Sequence, residues 1–274
     1  YWSATAGARF DDYNLTDISS QKISASGLSP NLGLRYALTK EQGLFVSHTR
    51  AFRGPTPIEA FVLAGATSAV SNPNIEGTRS ETTELGWEQR KEILRARVTG
   101  FYTKFNHPLD NVTIGGVATR QNVPDIKSQG FVVSADSLLN NWELGASYTH
   151  VRLSFGDEPI GYSGATSFSR GAPTGDRANA RIGYRFTPLN LIASFSSLMI
   201  MKLDRLPSGQ AVQPGYEVYD ANLAWVPNDQ LQVNFSVQNL FDKNYVAQGT
   251  PYLEGFRSVY EPGRDFRLSA SYMF

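Results

Sequence analysis

The sequence runs to 274 residues, with 25 Lys+Arg balanced by 25 Asp+Glu, no Cys, 24 Gly and 14 Pro. Zero net charge without a basic tract excludes an electrostatically driven nucleic-acid binder, and the lack of Cys excludes a disulfide scaffold, a thiolate zinc site and a thiol nucleophile. The most apolar stretch, 189–201, carries Ser194, Ser196 and Ser197 and falls short of the roughly 18 residues of a transmembrane helix. The chain opens on Tyr1 and Trp2 with neither a charged nor an apolar leader, so it is expected to be a fragment that shows no export signal of its own.

Strict alternation of apolar and polar residues dominates the chain, and helical periodicity is hard to find. Alternation predicts strands over 1–10, 31–38, 43–51, 79–89, 92–105, 128–139, 142–152, 177–186, 189–201, 216–226, 231–241 and 265–274. The clearest is the segment from Leu231 to Gln238. Leu231, Val233, Phe235 and Val237 fall on one face, and Gln232, Asn234, Ser236 and Gln238 on the other. Tyr219, Ala221, Leu223 and Trp225 repeat the pattern, as do Phe266, Leu268, Ala270, Tyr272 and Phe274.

The connections alternate as regularly as the strands. Long intervals at 11–30, 52–78, 106–127, 153–176, 202–215 and 242–264 take turns with short ones at 39–42, 90–91, 140–141, 187–188 and 227–230. A soluble Greek-key sandwich has no reason to do this, whereas an outer-membrane barrel does, with short periplasmic turns and long extracellular loops. Trp2, Phe10, Trp142, Trp225, Phe241, Tyr272 and Phe274 lie near strand ends, where interfacial aromatic girdles belong. The predicted class is therefore all-β, a transmembrane antiparallel meander of about twelve strands.

The run Val237-Gln-Asn-Leu-Phe-Asp-Lys-Asn-Tyr245, followed by Glu261-Pro-Gly-Arg-Asp-Phe-Arg-Leu-Ser-Ala-Ser-Tyr-Met-Phe274, closely resembles the last two strands of TonB-dependent outer-membrane receptors. Ala51-Phe-Arg-Gly-Pro-Thr-Pro-Ile-Glu-Ala-Phe61, Asn72-Pro-Asn-Ile75 and Ser80-Glu-Thr-Thr-Glu-Leu-Gly86 resemble a loop and strand from the middle of such barrels. The resemblance implies that residues 1–274 form one partial receptor barrel, the C-terminal part of about 22 strands. A plug, a TonB box and about ten strands would be missing. It further implies energy-coupled uptake of a scarce nutrient, above all a ferric siderophore, with the TonB energy-transducing complex, the barrel-assembly machinery, membrane lipid and lipopolysaccharide as partners and no cofactor. Without a plug the twelve strands are expected to act as a leak or an inert half barrel.

Phe266, Leu268, Tyr272 and Phe274 form an apolar row on the last strand that reads as an assembly signal, or as a lipid-facing strand with its aromatic in the interface. The alternative reading is a complete twelve-stranded barrel, either a hydrolase or a passive pore. A hydrolase requires Ser near His48, His107 or His150, and no Gly-x-Ser-x-Gly motif occurs. Asp11, Asp12, Asp157, Glu158 and Asp242 read as solvated loop acids, and the dispersed His residues make no metal cluster. What remains is recognition. Arg53, Tyr162, Phe168, Arg170, Arg205, Tyr252, Phe256, Arg257 and Tyr260 pair guanidinium with aromatic surface in the long loops, which suits an anionic chelate, although barrel rims also use these residues for lipid headgroups and loop pinning. Haem receptors of this family resemble the chain through Phe-Arg-x-Pro and Asn-Pro-x-Leu with a ligating His between. No His lies between Pro55 and Asn72, so haem and cobalamin stand behind a siderophore as expected ligands.

Overall fold

A computed structural model describes residues 1–16, 20–61, 69–70, 72–162, 171–248 and 259–274. In chain order the strands are β1 (Trp2–Thr16), β2 (Lys22–Ala37), β3 (Gln42–Arg53), β4 (Ala69–Val70), β5 (Thr78–Lys91), β6 (Leu94–Asn106), β7 (Leu109–Ile114), β8 (Val117–Asn122), β9 (Ile126–Leu139), β10 (Trp142–Phe155), β11 (Glu158–Pro159), β12 (Arg177–Phe186), β13 (Leu191–Ile200), β14 (Tyr216–Asn228), β15 (Leu231–Gln238) and β16 (Asp265–Tyr272). One short helix, α1 (Pro57–Phe61), follows β3. Twelve strands form an antiparallel meander in the order β1-β2-β3-β5-β6-β9-β10-β12-β13-β14-β15-β16, and β11 flanks β10. They are the twelve segments that alternation predicts.

Three expectations need correction. Much of the interval 11–30 is strand rather than loop, because β1 and β2 stay paired up to Thr16↔Lys22. Asp11 and Asp12 are therefore strand residues, and Arg9 holds Asp11 at 2.9 Å. The interval 106–127 hides the hairpin β7–β8, and β4 adds to β8 in parallel to make a separate three-stranded sheet. The predicted strand 231–241 stops at Gln238, since Asn239 and Asp242 turn the chain with φ of 51° and 55°. Among the described residues β1 pairs only with β2 and β16 only with β15, so the twelve strands do not close on themselves. That removes the complete twelve-stranded barrel.

Short connections gather at one end and carry turn chemistry. Thr39 Oγ1 accepts the Glu41 and Gln42 N–H groups, Asn140 adopts φ 52°, and Asn228 Oδ1 accepts from Gln230 and Leu231 at 3.0 Å each. Two sites show why small residues interrupt the strands. A Cβ on Gly130 would lie 1.9 Å from the His150 carbonyl oxygen, and one on Gly86 2.2 Å from that of Val98.

Register carries each face across the sheet. Leu34, Val46, Leu85, Gly100, Phe131 and His150 succeed one another from β2 to β10. From Trp142 the same face runs through Tyr184, Ala193, Leu223, Phe235 and Leu268. This face is apolar and exposed: Leu85, Phe131, Phe235 and Leu268 keep 63%, 41%, 40% and 73% of their surface. The opposite face carries Arg35, Glu88, Arg97, Glu143, Arg181 and Arg185, joined by Arg35–Glu88 at 2.7 Å and Arg185–Glu143 at 3.0 Å. A soluble sheet would bury its apolar face, so the solvent that accepts this one is hydrocarbon.

The ends of the apolar face are marked. All four tryptophans, Trp2, Trp87, Trp142 and Trp225, lie on it at the short-turn end. Trp2 packs on Tyr36 in a tilted pair at 4.6 Å, and Trp142 meets Tyr184 edge to face at 4.7 Å. Eight residues up β10 from Trp142, His150 and then Arg152 end the belt, a rise of about 20 Å for tilted strands. Among the described residues no helix is long and apolar enough to cross a membrane. Phe235→Arg is expected to destabilise the assembled barrel by about 2–4 kcal/mol, and Asn234→Arg, one residue along and facing inward, by less than about 1 kcal/mol. Reversible unfolding from lipid vesicles measures both.

Candidate functional site

The loop end is held by a small core that belongs to no single hairpin. Ile23 of β2, Ala60 of α1 and Ile75 are buried together, with Leu15, Phe61 and Leu109 packed against them. Three long connections thereby share one core: the β1–β2 hairpin, the β3–β5 insertion and the β6–β9 insertion.

The motif Phe52-Arg53-Gly54-Pro55-Thr56-Pro57-Ile58-Glu59 builds the support of this core. Phe52 is 3% exposed, its N–H donates to Ser29 Oγ at 2.9 Å, and its ring meets Tyr13 at 6.0 Å. Pro55 is fully buried. Thr56 and Glu59 form a reciprocal capping box: the Glu59 N–H donates to Thr56 Oγ1 at 3.3 Å, and the Thr56 N–H to Glu59 Oε2 at 2.9 Å. Pro57 takes the first helical position, where its missing N–H costs nothing. Arg53 then clamps the same carboxylate through both terminal nitrogens, at 3.0 and 2.8 Å. Burial pushes the Glu59 carboxyl up, but Arg53 and the Thr56 N–H outweigh it and hold the group below the usual carboxylate range.

Beside this motif a recess of about 1120 Å³ opens on the inward face at the loop end. Arg9, Arg53 and Arg120 bring guanidinium groups to it, Glu59 and Asp110 carboxyl groups, and Tyr13, Phe52 and Phe105 aromatic surface. Asn111 Oδ1 accepts from Arg120 Nε at 3.0 Å, which sets the direction of that fork. No His, Met or Cys among the described residues lines the recess. Among the described residues no cluster of His, Cys, Asp or Glu could hold a metal ion.

Of the residues expected to bind ligand, the four that are described lie in different places. Arg53 lines this recess. Tyr162 pins loops instead, its hydroxyl donating to the Ala211 carbonyl at 2.9 Å and its N–H to Gln210 Oε1 at 3.1 Å. Arg205 lines a separate recess of about 520 Å³ between β10 and the approach to β12. Tyr260 is 66% exposed. Phe168, Arg170, Tyr252, Phe256 and Arg257 lie outside the described residues. Arg9, Phe105 and Arg120 escaped the sequence reading. Arg9 and Phe105 sit in strand segments, where alternation marks a face but not a ligand contact, and Arg120 sits in the unpredicted hairpin.

Among the described residues no histidine ring is paired with a serine. His150 Nδ1 meets Asp176 at 2.6 Å and Arg152 Nε donates to its Nε2 at 3.0 Å, so both ring nitrogens are engaged without a serine. His48 Nδ1 pairs with Thr83 at 2.9 Å, and His107 with Glu76 at 3.0 Å. Of the other expected loop acids, Asp157 pairs with Lys127 at 3.1 Å, Asp242 Oδ1 accepts the Arg264 N–H at 2.8 Å, and Glu158 is a strand residue of β11 rather than a loop acid. Asn239, 4% exposed, locks the Asn-Leu-Phe-Asp turn through the Lys243 and Pro262 carbonyls at 2.9 and 3.2 Å.

A meander with an apolar outer face, a charged inner face and loops at one end defines an outer-membrane β-barrel wall. The family model for TonB dependent receptor-like β-barrels matches residues 1–240, and the chain belongs to that family. Its place is accordingly the bacterial outer membrane, in a family of transport proteins rather than enzymes. A heme transporter, BhuA of Brucella abortus, is 23% identical over 291 residues, covering 100% of the chain and 42% of the relative. Among solved structures, the FrpB iron transporter from Neisseria meningitidis superposes with a TM-score of 0.85 at 23% identity, over 99% of this chain and 43% of that one. The copper transporter OprC follows at 0.80 and 17%, over 100% and 45%. The chain thus spans less than half the length of the relatives it matches.

Glu59→Gln is expected to loosen α1 by about 1 kcal/mol, read as faster amide exchange at Ala60 and Phe61. Because the folded carboxyl lies below its unfolded value, its stabilisation is complete above about pH 4.3 and is lost as pH falls through the lower folded value. Wild-type protection at these amides, taken relative to the intrinsic exchange rate at each pH, should therefore fall on acidification, and protection in the Gln variant should not.

Proposed function

We propose that the receptor containing this chain takes up a scarce nutrient, coupled to the TonB complex through a plug supplied by the rest of the polypeptide, and that the nutrient is a ferric siderophore. The observation that carries this reading is the recess of Arg9, Arg53 and Arg120 with Tyr13, Phe52 and Phe105. Planar cationic forks and rings suit a bulky anionic chelate whose metal is already coordinated. A soft bare metal asks instead for His, Met or Cys, none of which lines the recess among the described residues, and of the haem-ligating residue types only Tyr13, whose ring is turned on Phe52, is present there. Residues 56–71 likewise contain no His. The similar proteins are named for iron, heme, copper and ferric-catecholate transport, so ligand identity within the family follows local chemistry. The apolar row of Phe266, Leu268, Tyr272 and Phe274 on the edge strand β16 supports pairing with the barrel-assembly machinery.

The intact receptor should bind ferric siderophores in preference to haem and cobalamin when all three are titrated side by side. Arg120→Ala should weaken siderophore binding by roughly tenfold, the scale of one lost charge-assisted contact. Haem binding that survives replacement of every His would contradict the ligand assignment.

A further inference from the structure

The three guanidinium groups of the nutrient recess are not equally available. Arg53 gives both terminal nitrogens to Glu59, at 3.0 and 2.8 Å. Arg9 gives Nε to Asp11 at 2.9 Å and Nη2 to the Phe52 carbonyl at 3.4 Å. Arg120 differs. Among the described residues only its Nε is engaged, by Asn111 Oδ1 at 3.0 Å, which leaves both terminal nitrogens open.

That fork is held in place before any ligand arrives. Asn111 and Arg120 face each other in the β7–β8 ladder, so strand register sets the amide that accepts from Nε. The Asn111 N–H donates to Asp110 Oδ1 at 2.8 Å, and the Arg120 carbonyl accepts from Asn72 Nδ2 at 3.2 Å, which ties the hairpin to the connection between β4 and β5. An arginine whose Nε is already fixed loses little further freedom when its terminal pair binds.

Charge limits what can bind there. Arg9, Arg53 and Arg120 meet Glu59 and Asp110 in the lining, so the recess carries a surplus of one positive charge. Phe105, Leu109, Ile126 and Leu153 add apolar wall. A chelate with three negative charges would leave most of them uncompensated beside that wall, where charge is poorly solvated. A chelate with one anionic group on an otherwise uncharged body matches both the open fork and the surplus. Two coplanar oxygens on one carbon fit a guanidinium fork bidentately.

We infer that the ligand presents a single free carboxylate, not used on its metal, to the terminal nitrogens of Arg120, and that Arg120 selects carboxylate-bearing chelates over tris-catecholates. This rests on the siderophore reading of the recess and narrows it.

The test is calorimetric titration of the full-length receptor in nanodiscs with three probes: a ferric tris-hydroxamate bearing one pendant carboxylate, the same chelate with that carboxylate converted to a methyl amide, and a ferric tris-catecholate. Wild-type receptor should bind the acid roughly tenfold more tightly than the amide, and more tightly than the catecholate. Arg120→Ala and Arg120→Lys should each lose most of that preference while binding the amide as wild type does, since lysine keeps the charge but lacks the planar fork. Unchanged amide binding shows that the site is still folded, and removing the carboxylate and the fork together should cost no more than removing either. Equal wild-type affinity for acid and amide, a preference that survives in both variants, or tighter binding of the catecholate overturns the inference and leaves the siderophore reading in place. Binding of none of the three chelates overturns both.

Discussion

In hydrocarbon an unpaired backbone N–H or C=O finds no water, and each one left open costs several kcal/mol. Everything else in this molecule follows from that constraint. Each interior strand must be hydrogen-bonded on both sides, which fixes a continuous antiparallel ladder from β1 to β16. Once the ladder is continuous, the pleat assigns every residue to one of two faces, and a one-residue slip in any hairpin would exchange them downstream. The turns at Thr39, Asn140 and Asn228 are where side chains hold that register.

The two faces solve different problems. The outer one needs only to match lipid, so its residues vary in shape and its boundaries are set by tryptophan below and by His150 and Arg152 above. The inner face uses arginine for every strand cation named in its network, with Glu88 and Glu143 each bridging two of them. Arginine forks keep their charge and lose little freedom per bond, which suits a wall that other protein surface packs against. At the loop end the architecture changes character. There the Ile23–Ala60–Ile75 core gathers three connections into one packed unit, and the Arg53–Glu59 clamp fixes its helix over the recess.

How much of this was legible in the sequence depends on whether the signal was periodic. The twelve strands were legible because period two persists wherever lipid covers one face, as from Leu231 to Gln238. Hairpin β7–β8 was not, since its strands are only six residues each and their alternation is faint. The motif at 51–61 was legible as a family signature, but its physical content, a capping box locked by arginine, required the fold of β3 back onto α1. The recess was legible only in part. Arg53 stood out beside Phe52, whereas Arg9 and Phe105 become neighbours of Arg120 only when β1 and β6 curve toward the same mouth. Tyr162 and Arg205 share the composition of ligand contacts, yet pin a loop and line a different recess, because composition does not encode direction.

The central claim is that this sheet is a membrane wall with lipid on its odd-numbered β15 face and protein or water on the other. The chain contains no Cys, so spin labels can be placed singly from Leu231 to Gln238 in the full receptor, any Cys of its remaining sequence being replaced first, and the protein reconstituted in vesicles. The account predicts collision with oxygen dissolved in the bilayer at 231, 233, 235 and 237, and protection from it at 232, 234, 236 and 238. Oxygen accessibility that rises and falls without period two along these eight positions would contradict it.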